Sequence, residues 1–191
     1  MPPGFAYAHP RMRLIRLRAM SPKSRTFASA IALALPLDVL SKELVLSNIS
    51  RGEHVRVIDG FLYLTHVRNP GAAFSMLAHA PEWFRTYFFP AMAIFALWLI
   101  VSMFRQLAPR DRLAPFALGC VLGGASGNLL DRFRHGAVVD WLHVRLTSTW
   151  SWPDFNVADS FVVVGVALLI YEMFASEGEG LEGTGPPGSV A

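Results

Sequence analysis

The chain has 191 residues, of which 53% are hydrophobic and only 16% charged, with a mean hydropathy of +0.38. That balance excludes an ordinary soluble domain and indicates a small integral membrane protein. The net charge of +3 is modest, and its basic cluster leads straight into an apolar run, which argues against a nucleic-acid-binding arm.

In chain order, Arg11, Arg13, Arg16, Arg18, Lys23 and Arg25 come first, with no acid among them. A basic flank before a hydrophobic segment reads as cytoplasmic under the positive-inside rule. A cleaved signal peptide would look similar, with small residues at Ala28 to Ala30 as the processing site. The apolar run continues past that point to about Ile49 and carries Asp38 and Lys42, which a signal-peptide core tolerates poorly.

Crossing about 30 Å of hydrocarbon takes roughly 20 helical residues. Four segments meet that length, at approximately 27–48, 84–104, 113–131 and 157–175. The expected fold class is an all-α integral membrane protein with four transmembrane helices and a small extracytoplasmic β-hairpin or cradle. Residues 1–26 are expected to form a basic cytoplasmic extension, 27–175 the membrane domain, and 176–191 a disordered acidic tail. With four crossings both termini are cytoplasmic, and Arg105, Arg110 and Arg112 mark the second connection as internal as well.

Asp38 and Lys42 stand one turn apart in the first helix, in the favourable acid-before-base order. They either neutralise one another or face a polar site at the outer end. Between the first two helices, EHVRVIDGFLYLTHVRNP alternates apolar and polar residues around Asp59-Gly60, which predicts a hairpin with a type I′ turn. Its Val55, Val57 and Phe61 offer apolar surface to the bilayer or to a covered site. Asn69, Pro70 and Gly71, leading to Ala72, Ala73 and Phe74, have the composition of a turn.

The third helix carries Gly119, Gly123 and Gly127, a small-residue stripe suited to close helix packing. At its outer end stand Asn128, Asp131 and Arg132. The helix dipole disfavours an acid at a C-terminus, so Asp131 is either half of an ion pair with Arg132 or Arg134 or part of a site. Cys120 has no partner for an internal disulfide and reads as packing.

Asp140 lies in VVDW with apolar neighbours and no adjacent base. Asn156 and Asp159 form an N-x-x-D start to the fourth helix, which suits a capping box as well as a site. Trp141, Trp150 and Trp152 fit the headgroup region. Charged groups beside hydrocarbon cost roughly 2.5–3.5 kcal/mol on insertion scales, so Asp140 and Asp159 on one membrane face call for a use. Two carboxylates brought together share one proton, and such a pair can hydrolyse an amide: one activates water while the other protonates the leaving nitrogen. No H-E-x-x-H spacing appears among the histidines, and the lone cysteine has no evident base.

Taken together, five ordered blocks resemble the lipoprotein signal peptidase family, also called signal peptidase II, over roughly residues 30–175. They are Asp38 to Lys42, NPGAAF, GGASGNLLDR, GAVVDW and FNVADS. The resemblance implies an aspartic endopeptidase that removes signal peptides from bacterial prolipoproteins, cutting before a diacylglyceryl-modified cysteine. It implies Asp140 and Asp159 as catalytic residues. Asn69, Gly71, Asn128, Asp131, Arg132 and Asn156 would support the site, with Asp38 and Lys42 nearby. It further implies the bacterial inner membrane with the site on the extracytoplasmic face, prolipoproteins and membrane lipids as partners, a monomer, and no metal or cofactor. Trp141 stands where phenylalanine is usual in the family, and the basic N-terminus and acidic tail lie outside its core.

Three other classes fit parts of the pattern. A proton-coupled transporter would use buried acids as relays, but shows no inverted repeat here. A Mg²⁺-dependent lipid-modifying enzyme would use Asp131, Asp140 and Asp159 as oxygen ligands. A purely structural membrane adaptor leaves the polar blocks without a use.

Overall fold

A computed structural model describes residues 20–71, 77 and 79–182, with side chains described to residue 175. Its elements in order are α1 (Pro22–Asn48), β1 (His54–Ile58), β2 (Leu62–Asn69), α2 (Glu82–Gln106), α3 (Leu113–His135), β3 (Val138–Val144) and α4 (Val157–Glu182).

The helices are built inside out relative to those of a soluble protein. On α1 the buried stripe is Ala30, Ala34, Asp38, Lys42 and Val45, while Leu33, Leu37, Leu40 and Leu44 are exposed. On α2 only Ile100 is buried, and Trp83, Tyr87, Ile94 and Trp98 face outward. Such faces are stable against lipid, where close packing of small residues rather than apolar burial brings helices together. By length and composition α2, α3 and Val157–Ala175 of α4 are apolar enough to cross a membrane. The expectation of four spans therefore stands at three on this criterion: α1 has the length, but Asp38, Lys42 and Glu43 lower its apolar content.

α3 is the central helix, packed against α1 on one side and α4 on the other. A Cβ at Gly119 would meet the Phe27 carbonyl and Ala30, one at Gly123 would meet Ala34, and one at Gly127 would fall on the Asp38 carboxylate. The expected glycine stripe thus seats α1. Gly124 and Gly165 serve α4 in the same way, against Ala158 and Val121. Gly127→Ala is expected to destabilise the protein by about 1–3 kcal/mol through overpacking, read as a lower apparent unfolding temperature in detergent. An unchanged temperature would mean that α1 can move away from α3 at this level.

The hairpin is part of a larger sheet, with order β1-β2-β3 and antiparallel neighbours. Asp59 keeps a negative φ while Gly60 has φ +70°, and the Phe61 N–H donates to the Ile58 carbonyl at 3.1 Å. The turn is therefore not the expected type I′, which needs two positive φ angles; one positive φ at the third position is the type II pattern. Val55, Val57 and Phe61 are exposed, as is Ile58, and β1 is exposed along its whole length. The sequence reading left the connection after α3 without a strand; it contains β3, which pairs with β2 and places Val67 opposite Asp140 and Asn69 opposite Val138. Gly136, at φ +71°, ends α3 in a left-handed cap and turns the chain into β3.

Two boundaries also shift. α1 begins at Pro22, capped by the Ser21 hydroxyl, inside the stretch expected as the N-terminal extension. Disorder is expected from residue 176, whereas α4 continues to Glu182. The basic residues Arg11 to Arg18, the turn residues Ala72, Ala73 and Phe74, and the tail 183–191 lie outside the described residues.

Candidate active site

The site forms where the end of β2, the outer part of α3, the start of β3 and the N-terminus of α4 meet. Asp140 is nearly fully buried on β3. Its two oxygens accept from Asn69 Nδ2 at 3.0 Å and Asn156 Nδ2 at 2.8 Å. Asp159, in the first turn of α4, accepts from Asn128 Nδ2 at 2.8 Å and from the Asn156 backbone N–H at 3.1 Å. Asp140 and Asp159 line one cavity of about 250 Å³ together with Asn69, Asn128 and Arg132.

Asn156 joins the two acids. Its Oδ1 accepts the Asp159 N–H at 3.0 Å, while Asp159 returns a bond to the Asn156 N–H. This reciprocal pair is the capping box read from the sequence. The amide nitrogen of the same residue reaches Asp140, the Asn128 Oδ1 at 3.1 Å and the Val139 carbonyl at 3.3 Å. One side chain therefore starts a helix and spaces a pair of acids.

Burial pushes the Asp140 carboxyl up to about 7, with the charge of Asp159 acting in the same direction and the Asn69 and Asn156 amides opposing it. A carboxyl in that range carries a proton near neutrality while keeping a lone pair on each oxygen for the two amide donors.

Beneath the pair lies a second polar layer. Lys42, 2% exposed, is 2.7 Å from Asp38, 2.9 Å from Asp131 and 2.9 Å from the Asn128 Oδ1, so its three protons have three acceptors. Asp38 also accepts the Ala158 N–H at 2.9 Å, and Asp131 the Val139 N–H at 3.0 Å. The layer thus ties α1 and α3 to the residues beside each acid. Asp131 is not in the local pair with Arg132 or Arg134 considered above. Its partner is Lys42, and Arg134 pairs with Glu43 instead.

Arg132 donates to the Gly71 carbonyl at 2.7 Å and the Asn128 carbonyl at 3.1 Å, and lies over the Phe89 ring. The Gly71 N–H donates to the Asn69 Oδ1 at 2.9 Å, an Asx turn that orients the Asn69 amide toward Asp140. All ten residues named from sequence converge on this region. Reading side chains alone missed the Val139 and Ala158 backbone donors, for which a sequence carries no signal. It also missed His143 and Asp154, paired at 2.8 Å. Asp154 stands in WPDFN, two residues before Asn156, and could have been noticed there. Among the described residues no three His, Cys, Asp or Glu side chains are grouped to hold a metal ion, and Asp131 is paired with Lys42.

Comparison with known proteins gives a concordant result. Residues 30–175 match the family model described as signal peptidase (SPase) II. The chain is 42% identical over 158 residues to a lipoprotein signal peptidase of Geobacter sulfurreducens, covering 83% of this chain and 97% of that protein. It is 40% identical over 153 residues to a lipoprotein signal peptidase of Syntrophus aciditrophicus, covering 80% and 94%. A bacterial membrane enzyme structure determined in meso at 2.3 Å resolution aligns with a TM-score of 0.73 at 26% identity, over 87% of this chain and 95% of that one. A second such structure, at 1.9 Å, aligns with a TM-score of 0.68 at 29% identity, over 78% and 92%. With this match over most of its length, the chain belongs to the signal peptidase II family of bacterial membrane proteases.

Proposed function

We propose that this protein is an aspartic endopeptidase that cleaves signal peptides from diacylglyceryl-modified prolipoproteins, with Asp140 and Asp159 as the catalytic pair. The observation that carries the reading is the cavity in which a protonated-range carboxyl and a second, amide-supported carboxylate are bridged by Asn156. Asp159 takes a proton from water as the water attacks the scissile carbonyl. Asp140 hydrogen-bonds the developing oxyanion and transfers its proton to the leaving nitrogen as the intermediate collapses, so that the single proton of the pair ends on Asp159. Asn69, Asn128 and Asn156 hold the acids in place, and Arg132 with Gly71 fixes the turn that aims Asn69. Asp38, Lys42 and Asp131 form the support beneath.

We infer the placement in the cell from the same features. α1 serves as a fourth span because Asp38 and Lys42 are buried while Leu33, Leu37, Leu40 and Leu44 face outward. Both termini then lie in the cytoplasm, and the sheet, with exposed Val55, Val57, Ile58 and Phe61, rests on the outer face of the inner membrane beside the headgroups. A lipid-anchored substrate presents its amide at that depth. The enzyme acts as a monomer, since one chain supplies all ten site residues.

Mass analysis of a prolipoprotein incubated with the purified protein tests this reading. The expected products are split immediately before the lipid-modified cysteine, and the same precursor without its diacylglyceryl group stays largely intact. Cleavage at another bond, or equal cleavage of both precursors, would overturn it.

A further inference from the structure

We propose that His143 and Asp154 form a positioning clamp that holds Asn156 between the two acids; this rests on the catalytic reading above. His143 lies on β3, three residues beyond Asp140, and its Nδ1 is 2.8 Å from an Asp154 carboxylate oxygen. Asp154 lines the same cavity as Asp140 and Asp159 and precedes Asn156 by two residues.

Asn156 is where a small displacement has most effect. Its amide nitrogen contacts Asp140, and its backbone N–H and Oδ1 contact Asp159. A shift of the segment preceding α4 would disturb both acids at once. The backbone of that segment is attached to β3 by Phe155 with Leu142, at 2.8 and 3.1 Å, and by the Trp152 N–H to the Val144 carbonyl at 2.8 Å. The His143–Asp154 pair is a side-chain link between the same two stretches, and both partners are partly buried, at 19% and 24% exposure. Partial burial makes such a pair firmer than an exposed one, because water screens it less.

The imidazole is itself held. His54 from β1 meets it edge-on at 5.9 Å between ring centroids, and Tyr63 from β2 does so at 5.9 Å, with the Arg145 guanidinium over the Tyr63 ring. These groups and Asp154 are the titratable and charged neighbours that face His143. With Asp154 as a carboxylate, the 2.8 Å contact is an Nδ1–H donating to an Asp154 oxygen.

His143→Ala and Asp154→Ala should each lower kcat about tenfold, less than the roughly 10²-fold of a 1 Å misplacement, with KM within about twofold of the parent. Asp154→Asn, which keeps an acceptor, should recover most of the activity. The double alanine variant should be no slower than either single one. Because Asp140 loses part of its bond from Asn156, the alkaline limb of the kcat profile should move to higher pH in both alanine variants. Rates within twofold of the parent would overturn the clamp. So would a rate loss that follows only the folded fraction and leaves the pH limb in place. Asp140→Asn, assayed alongside, separates the two readings: if it is inactive while His143→Ala behaves as parent, the clamp fails and the catalytic pair stands.

Discussion

Asp140→Asn and Asp159→Asn are each expected to reduce prolipoprotein cleavage by about 10³-fold or more, the range associated with losing a positioned general acid or base. The substitutions keep the shape of the side chain, so the helices should still assemble. At position 140 the carboxyl accepts from two amides, and an asparagine can accept with only one of its two terminal atoms. One bond is lost, but the shared proton is lost altogether. The parent enzyme should also show a bell-shaped dependence of kcat/KM on pH. With Asp140 raised to about 7, the proton needed for the leaving group is present below that value and lost above it, so the alkaline limb should fall near pH 7. The position of that limb is a macroscopic property of the pair. Processing of a lipid-modified precursor by folded, membrane-inserted variants at more than about a tenth of the parent rate would remove Asp140 and Asp159 from the catalytic role.

Lys42→Met should have the largest effect on stability. Removing the ammonium leaves the Asp38 and Asp131 carboxylates buried and facing one another without the cation that neutralises them. Breaking a buried ion network by deleting one partner costs about 3–5 kcal/mol. For a chain of this size that corresponds to roughly 6–20 °C in unfolding temperature, measured in one detergent at one scan rate. Combining Lys42→Met with Asp38→Asn should restore part of the loss, since one of the two stranded charges is then gone. A melting temperature within two degrees of the parent for Lys42→Met would show that water or rearrangement already satisfies the acids. Activity should fall as well, because Lys42 also holds Asn128, which donates to Asp159.

How far the sequence alone could be read depended on the distance over which each residue finds its partners. Asp38 and Lys42 are one helical turn apart, and Asn156 and Asp159 form a local cap. Both relations were legible because helix geometry fixes them. The cap and a place in the site had appeared to be competing accounts of Asp159; the capping box also sets Asp159 on the cavity it shares with Asp140. Asp140 looked unpartnered because its donors, Asn69 and Asn156, are 71 and 16 residues away. Asp131 was read against its arginine neighbours for the same reason, while its cation sits on another helix. The strand β3 was missed because Val138, Val139 and Asp140 are all buried. A segment covered on both faces lacks the alternation by which half-buried strands are recognised. The turn at Asp59-Gly60 was located correctly and its type was not, since one dipeptide suits several turns.

The double duty of Asn156 has a consequence for how the protein comes into being. The acids cannot take up their working arrangement until the start of α4 has formed and docked, because the residue that begins that helix is also the one that separates them. During synthesis, a chain with its first three helices inserted already carries Asp140 but not the group that completes the hydrolytic pair. On the proposed catalytic reading, the hydrolytic pair is therefore complete only once the last helix has docked.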